Sequence, residues 1–226
     1  NAEKFKDDRA NAIAIVSGIA KPEYHNQIVE NVLIPNRFSS PHFEWLVEEA
    51  MCITGNCKAS LERMKTQYQS QVDKKSMSTL YEMFPRGGSY NHAWNAPNTI
   101  LSKYIAGVRP TKKGWSEFEI MPELAHFKNI KKTIPSVKGN IDLEIIKSDT
   151  EYNLKLTSPK DTEAIVGIPK TDKAIDKVFV NGDCIWKKGK MKKKVKGIQL
   201  EGEDINKYLQ FRIPSGNWSV KAIYKK

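Results

Sequence analysis

The sequence predicts an α+β protein, a partial helical toroid followed by an antiparallel β-sandwich. Residues 1–109 place apolar side chains at helical spacing, whereas residues 110–226 alternate apolar with polar side chains, as half-buried strands do. The charge changes at the same place. The first 110 residues carry 13 basic and 11 acidic side chains, a net charge of +2, and the remainder carries 24 and 15, a net charge of +9. We therefore predict two domains, a helical one at 1–109 and a β-sandwich at 110–226.

Each predicted helix is bounded by residues that favour a start or a stop. Pro22 and Pro35 end the first two helices because proline cannot continue a helix. Ser40 is a candidate N-cap with Pro41 in the first helical position, and Gly55 terminates the helix that they open. About five helices joined by short turns would pair as antiparallel hairpins, which is too few to close a barrel, so the toroid is expected to be partial. The predicted helices are residues 8–20, 23–33, 41–55, 58–72 and 93–106.

Short strands are predicted wherever apolar and polar residues alternate after Pro110. Turn signals fall between them at residues 148–150, 181–183 and 214–217, and Asn181-Gly182 is typical of a two-residue hairpin. About eight short antiparallel strands at regular spacing indicate a β-sandwich. The predicted strands include residues 118–120, 139–145, 152–156, 164–168, 178–180, 208–213 and 218–224.

The densest run of positive charge, residues 187–194, contains six lysines between two strand-like segments. A basic surface can bind nucleic acid or anionic glycans. No aromatic side chains are interleaved with these lysines, as a stacking platform would require. We therefore interpret the run as a solvated hairpin tip and predict no nucleic-acid partner. No apolar run approaches the roughly 18 residues that a membrane span needs, so no membrane partner is predicted either.

The three cysteines, Cys52, Cys57 and Cys184, are an odd number without a metal-binding spacing. Cys52 and Cys57 lie five residues apart on or beside a helix, and no second pair completes a metal site. We interpret them as buried thiols, not as part of a disulfide framework, and predict no metal.

Residues 78–97 form the most unusual stretch of the sequence. This predicted loop between helices combines Glu82 and His92 with several amides and aromatic side chains. Aromatic faces stack on sugar rings, amide and imidazole groups bond hydroxyls, and a single carboxylate can act as a general base toward water. The alternative is structural, with Glu82 as a capping or surface residue and His92 as a histidine satisfied near a helix start.

Three motifs follow one another in a specific order. Residues 79–82 read Thr-Leu-Tyr-Glu, residues 89–92 read Ser-Tyr-Asn-His, and residues 102–110 contain Ala-Gly-Val-Arg-Pro. Together they resemble bacterial α-L-rhamnosidases, inverting enzymes of glycoside hydrolase family 78, and the resemblance covers nearly the whole chain. Three further segments are similar to the helical repeats and the C-terminal β domain of that family, namely residues 7–12, 40–44 and 114–122.

The resemblance implies the last helices of an (α/α)6 toroid and a C-terminal β-sandwich, both belonging to a larger hydrolase that cleaves terminal α-L-rhamnosyl linkages. Glu82 matches the family's general base, and His92 matches a histidine that lines the rhamnose pocket. Tyr81 stands where members often have tryptophan, and Tyr90 where they often have phenylalanine; both exchanges keep an aromatic face. The substrate-binding candidates are His92, Tyr81, Tyr90, Asn91 and Trp94.

Inverting hydrolysis needs a second carboxyl, the general acid, about 6.5–9.5 Å from the base. In the family that acid comes from an earlier part of the toroid, and none of Asp7, Asp8 and Glu44 matches its motif. The isolated chain is therefore expected to be inactive.

The expected partners are a rhamnose-containing oligosaccharide or glycoside and the N-terminal remainder of the parent enzyme. A partial toroid exposes apolar surface, so self-association of the chain is also expected. No cofactor is implied. The compartment stays open between the periplasm, the exterior and the cytoplasm of a bacterium.

The alternative function is a non-catalytic carbohydrate-binding or structural module of a different helical-toroid glycosidase. Exposed tryptophans on the sandwich, Trp186 or Trp218, would favour glycan binding. Alternation places Trp218 on the same face as Val220 and Ala222, which favours a bracing role for this domain.

Overall fold

A computed structural model describes residues 6–73, 79–84, 96–203 and 207–225. The chain divides into two compact units, Asn1–Leu101 and Ser102–Lys226. The described part of the first unit is helical, and the second is built on a ten-stranded sheet, so the predicted α+β class is confirmed. None of the described helices is long and apolar enough to cross a membrane.

The helical unit is built on helices that the turns and caps of the sequence delimit. The Asp7 carboxylate caps the first helix by accepting a hydrogen bond from the Arg9 backbone N–H at 2.8 Å. Pro41 occupies the first turn of α3, as predicted. The elements are α1 (Asp8–Val16), α2 (His25–Ile28), α3 (Pro41–Ile53), α4 (Cys57–Val72) and α5 (Ala96–Ile100), with a 3-10 turn at Pro22–Tyr24 and π-helical turns at Val29–Leu33 and Leu101–Ile105.

The apolar faces of α1 and α3 and the turn after α2 form the core of this unit. α1 ends four residues earlier than its apolar pattern predicted, because Gly18 adopts a left-handed φ of 74°. The start of the last predicted helix, residues 93–95, lies outside the described residues. The described helices do not make up a toroid, so the toroid stays a prediction. The buried core residues are Ala12, Ile15, Val29, Val32, Leu33, Val47, Ala50 and Met51.

The interpretation of Cys52 and Cys57 as separate thiols is wrong. The turn between α3 and α4 brings their Cα atoms to 4.3 Å, and the two sulfur atoms form a disulfide bond. The two cysteines meet because Gly55, with φ 82°, reverses the chain between the two helices. A spacing of five residues does not by itself predict such a contact. Cys184 is free and half-buried.

Within the described residues, the β unit contains ten strands. Every pairing in the described residues is antiparallel except that of β2 with β5, which is parallel and departs from the purely antiparallel sandwich predicted. The strands are β1 (Val108–Pro110), β2 (Glu117–Ile120), β3 (Asn129–Ser136), β4 (Gly139–Lys147), β5 (Glu151–Pro169), β6 (Ile175–Val180), β7 (Asp183–Lys187), β8 (Lys190–Met191), β9 (Gln199–Glu203) and β10 (Tyr208–Tyr224).

A long two-stranded ribbon organises this sheet. β5 has 19 residues and β10 has 17, and they pair along most of their length. The ribbon is irregular in the middle, where Asp161 has a φ of 59° and the register shifts between Pro214 and Gly216. On one side of this point β4 pairs with β5 and β6 with β10; on the other side β2 pairs with β5 and β9 with β10.

Both halves of the ribbon bury side chains in one core, so the sheet folds over on itself and forms the predicted sandwich. One half contributes Tyr152, Leu154, Leu156, Val220 and Ala222, and the other contributes Ala164, Val166, Ile168, Phe211 and Ile213.

Two predicted hairpin turns are confirmed, and two predicted breaks are wrong. Asn181 and Gly182 both have positive φ, 48° and 89°, as the two-residue turn between β6 and β7 requires. The lysine run forms the turn between β7 and β8, with Lys188 exposed. Residues 152–156 and 164–168, however, are one strand, as are residues 208–213 and 218–224, because their polar breaks bend the ladder without ending it.

Candidate active site

The candidate base, Glu82, lies on the segment 79–84, and the helix α4 holds that segment. The backbone N–H of Tyr81 donates a hydrogen bond of 2.7 Å to the side-chain oxygen Oε1 of Gln71, near the end of α4. Both residues are buried, with exposed fractions of 6% for Tyr81 and 3% for Gln71. A buried amide bond of this kind resists displacement, because breaking it would leave a donor without a partner.

A second contact holds the other side of Glu82. The ring of Phe84 packs edge-on against the ring of Tyr68, with the ring centroids 5.0 Å apart. Tyr68 lies one helical turn before Gln71 on the same face of α4. The residues on both sides of Glu82 are therefore fixed by α4, while the Glu82 side chain itself is half-buried.

The positions of the other four substrate-binding candidates are not described. Tyr90, Asn91, His92 and Trp94 lie outside the described residues. Among the six predicted site residues, only Tyr81 and Glu82 have a described position.

A buried ion network, which the sequence did not predict, lies between α1, α3 and α4. The guanidinium of Arg63 contacts Asp8 Oδ2 at 2.7 Å, Glu44 Oε1 at 2.6 Å and Ser39 Oγ at 2.8 Å. Its Nη1 also donates to the backbone oxygens of Leu33 and Asn36 at 2.6 and 2.7 Å. The side chain of Arg63 is 1% exposed, and those of Asp8 and Glu44 are fully buried. The carboxylates of Asp8 and Glu44 thus share the single positive charge of Arg63.

The signal for this network was present in the sequence as charge at buried helical positions. Asp8 lies one helical turn before Ala12 and two turns before Ile15, and Arg63 lies beside Leu61 and Met64. A charge in such a position needs a partner, because an isolated buried charge is costly. The identity of the partners, up to 55 residues apart, depends on the packing of the helices.

A second buried polar group lies on the same helices without partners. Glu48 on α3 is fully buried, and neither of its carboxyl oxygens has a hydrogen-bond partner among the described residues. Burial, and next the negative charge of Glu44, raises the pKa of Glu48 well above its usual range. The Tyr68 hydroxyl and Gln71 Nε2 are likewise buried and have no hydrogen-bond partner in the described part of the chain. The helix that holds the Glu82 segment therefore has an inner face with several unsatisfied polar atoms.

The remaining described residues offer little further chemistry. No cluster of three or more histidine, cysteine or acidic side chains that could hold a metal occurs in this part of the chain. On the β unit Trp186 is 5% exposed, and the half-buried Trp218 packs against the core and donates from Nε1 to the Pro214 backbone oxygen at 2.7 Å. Trp186 therefore presents no free face to a sugar, whereas Trp218 also lines a cavity of about 470 Å³.

The backbone conformation and close packing at the Ala-Gly-Val-Arg-Pro motif require its glycine. Gly107 has a φ of 73°, and a Cβ atom there would lie 2.2 Å from the carbonyl carbon of Met121. Two residues on, Arg109 forms an ion pair of 2.5 Å with Glu119 on β2. Only glycine allows this close approach at the start of the β unit.

Comparison with known proteins confirms the resemblance that the motifs indicated. Residues 107–179 match the family model of the bacterial α-L-rhamnosidase C-terminal domain. The match lies wholly within the β unit and includes its first five strands. No curated protein matches the chain.

Solved structures extend the similarity of fold to both units. The α-L-rhamnosidase from Dictyoglumus thermophilum matches 97% of this chain with a TM-score of 0.78 at 18% sequence identity. The Streptomyces avermitilis α-L-rhamnosidase complexed with L-rhamnose matches 95% with a TM-score of 0.72 at 16% identity. A family 78 rhamnosidase of Bacillus sp. GL1 matches 71% with a TM-score of 0.60 at 23% identity.

At these identities the solved structures establish the fold alone. The chain spans about a quarter of the Dictyoglumus enzyme, 26% of its length, and 21% of the Streptomyces enzyme.

Proposed function

We propose that this chain is the C-terminal portion of a larger glycoside hydrolase that cleaves terminal α-L-rhamnosyl linkages with inversion. The observation that carries the proposal is the Thr-Leu-Tyr-Glu segment, held against α4 by the Tyr81–Gln71 hydrogen bond, in a chain with the fold of α-L-rhamnosidases. Residues 1–109 would be the last helices of an (α/α)6 catalytic domain, and residues 110–226 its C-terminal β-sandwich.

In this mechanism Glu82 is the general base. Its carboxylate takes a proton from a water molecule, which attacks the anomeric carbon on the face opposite the leaving group. A carboxylic acid about 6.5–9.5 Å away protonates the departing glycosidic oxygen. The residues proposed to bind the rhamnosyl group are His92, Tyr81, Tyr90, Asn91 and Trp94.

The general acid belongs to the preceding part of the parent. Asp8 and Glu44 are occupied by Arg63, and the Asp7 carboxylate caps α1 and pairs with Arg9 at 2.6 Å. A base without its acid gives little hydrolysis, so the isolated chain is inactive in this proposal.

Gln71 is a positioning residue in this scheme. Its Oε1 holds the peptide group between Leu80 and Tyr81, one residue before Glu82, and so constrains the direction in which the Glu82 side chain leaves the backbone. General-base catalysis depends on that direction, since a displacement of about 1 Å can cost on the order of a hundredfold in rate.

The β unit braces the catalytic domain in this proposal. The buried Trp186 and the half-buried Trp218, which packs against the core, favour bracing over the alternative of a carbohydrate-binding module, whose aromatic platform would be exposed.

The test is hydrolysis of an aryl α-L-rhamnoside by the full-length parent, wild type against Glu82→Gln. The amide keeps the size of the side chain and removes the base, so kcat should fall by about two to four orders of magnitude in a folded protein. Glu62→Gln, an exposed glutamate on α4, is the matched control and should keep full activity.

An active wild type with an unimpaired Glu82→Gln variant would keep the substrate and move the base elsewhere. A wild-type parent that leaves rhamnosides intact would overturn the substrate, and other glycosides would then be screened.

A further inference from the structure

A basic cleft, defined by Lys170, Lys173, Lys188 and Lys225, opens on the β unit with a volume of about 510 Å³. It lies between the start of β6, the β7–β8 turn and the end of β10. The other described lining residues are Thr171, Ala174, Ile175, Trp186 and Gly189, so none of the lining side chains that the structure describes is acidic.

The four lysines come from three segments that only the fold brings together. The Lys225 backbone N–H donates to the Ala174 oxygen at 2.8 Å, and the Lys188 N–H donates to the Asp176 oxygen at 3.0 Å. The Lys170 N–H donates to the Lys207 oxygen at 2.7 Å. Because hydrogen bonds fix these backbone positions, the positive charges are gathered before any ligand arrives.

A second cleft on the same unit provides the contrast. Lys131, Lys132 and Lys155 line a cavity of about 470 Å³ together with Asp142 and Glu144. There Lys155 forms an ion pair of 3.1 Å with Glu144, so positive charge is matched by carboxylates. In the basic cleft, Lys173 Nζ donates to the Asp149 backbone oxygen at 3.5 Å, whereas Lys188 and Lys225 form no ion pair within the described part of the chain. The positive charge of Lys188 and Lys225 is therefore open to a ligand.

We propose that the basic cleft binds an acidic glycan through its carboxylate groups. A volume of about 510 Å³ lies in the range of small-ligand sites and suits a short stretch of sugar chain. Lysine ammonium groups bind carboxylates as point charges without demanding a fixed planar geometry.

Nucleic acid fits this cleft less well. Trp186, the aromatic residue in the lining, is 5% exposed and offers no face for a base to stack on. The choice of a glycan among the possible anions rests on the proposed function. A glycosidase with a second site for charged sugars would retain an acidic polysaccharide near its catalytic domain.

Binding can be measured with this 226-residue chain by calorimetry, using oligogalacturonate as the probe and a neutral malto-oligosaccharide for comparison. Wild type should bind oligogalacturonate, more weakly as salt rises, and should not bind the neutral sugar. The double variant Lys188→Gln/Lys225→Gln should bind about tenfold more weakly, since each exposed charge pair contributes modestly.

The matched control, Lys131→Gln/Lys155→Gln, removes the same charge from the second cleft and should bind as wild type. Equal weakening by both double variants would overturn the proposal in favour of diffuse attraction to the net charge. Absence of oligogalacturonate binding at low salt, or equally tight binding of duplex DNA, would overturn it as well. This experiment measures glycan binding only. A failure of the proposed rhamnosidase activity would be seen separately, in the kinetics of the full-length parent.

Discussion

Among the described residues of each unit, an arginine contacts two or three carboxylates, and the two clusters differ in burial. Arg63 in the helical unit has a side chain 1% exposed and lies among fully buried Asp8 and Glu44. Arg212 in the β unit is 19% exposed and contacts Glu117, Glu163 and Glu201, whose side chains are 7%, 50% and 32% exposed. The first cluster joins three helices, and the second lies on the surface of a sheet whose core is apolar.

The difference indicates how each unit is held. A buried ion cluster is stable only while complete, because each remaining charge would lie in a medium of low polarity. A surface cluster can lose a member to water at small cost. The helical unit therefore depends on polar residues at particular positions, whereas the β unit depends on apolar area.

Arg63→Met should produce the largest effect on stability. The variant leaves Asp8 and Glu44 buried without a counter-charge, so the free energy of unfolding of the helical unit should fall by about 3–5 kcal/mol. Urea unfolding followed by helical circular dichroism measures this.

A triple variant separates charge from shape. Adding Asp8→Asn and Glu44→Gln to Arg63→Met should recover much of the loss, because no unpaired charge then remains. A triple variant as unstable as Arg63→Met would show that packing of the arginine, not charge balance, holds the helices.

Gln71→Leu should lower kcat of the full-length parent by about 10- to 100-fold with little change in KM, because the Tyr81 N–H loses its acceptor and Glu82 is displaced. Gln71→Glu keeps an accepting oxygen and should restore most of the activity. Tyr68→Phe, which keeps the ring contact with Phe84 and removes only an unpartnered hydroxyl, is the control. Reduced thermal stability with an unchanged kcat would limit Gln71 to a structural role.

Glu48→Gln should change how stability depends on pH. Burial raises the pKa of Glu48 in the folded state, so the folded chain holds a proton that the unfolded chain releases above its ordinary value of 4.5. Stability therefore falls as pH rises above about 4.5, by at most about 1.4 kcal/mol per pH unit for one group.

The Gln variant cannot titrate and should be flatter with pH and more stable than wild type at neutral pH. Unfolding measured across this range checks it, with Glu62→Gln as the exposed control. Parallel curves for wild type and Glu48→Gln would contradict a protonated Glu48.

Arg212→Gln should have the smallest effect, about 1 kcal/mol or less at neutral pH, because the other members of its cluster are partly exposed and the buried Glu117 keeps its contacts with Lys112 and Thr111. Hydrogen bonds from Arg212 and then Lys112 lower the pKa of Glu117 to about 2 from 4.5. The stabilisation by these contacts is therefore present above about pH 4.5 and is lost as pH falls toward 2. If the stability of the variant and of the wild type fell equally at low pH, the lowered pKa of Glu117 would be due to a partner other than Arg212.

Local sequence signals predicted where helices and strands occur better than they predicted how long these elements are. Pro41 and the Asn181-Gly182 turn lie where the sequence placed them, because proline and glycine restrict the backbone by themselves. The breaks predicted at residues 157–163 and 214–217 became bends within β5 and β10, since partner strands continue to supply hydrogen bonds on both sides. The Cys52–Cys57 bond was missed because it depends on the sharpness of one helix–helix turn.

For the candidate site, the sequence supplied Glu82 and its motif but not what holds it. The order of the three motifs and the alternation of side chains determined the family resemblance and the α+β class, because periodicity and short motifs are written in neighbouring residues. The tertiary structure alone decided three sets of contacts. Gln71 accepts a hydrogen bond from Tyr81, and Arg63 forms ion pairs with Asp8 and Glu44. Three lysines from distant segments, Lys170, Lys188 and Lys225, line one cleft. These contacts join residues far apart in the chain, and packing, not local propensity, selects the partners of a buried polar group.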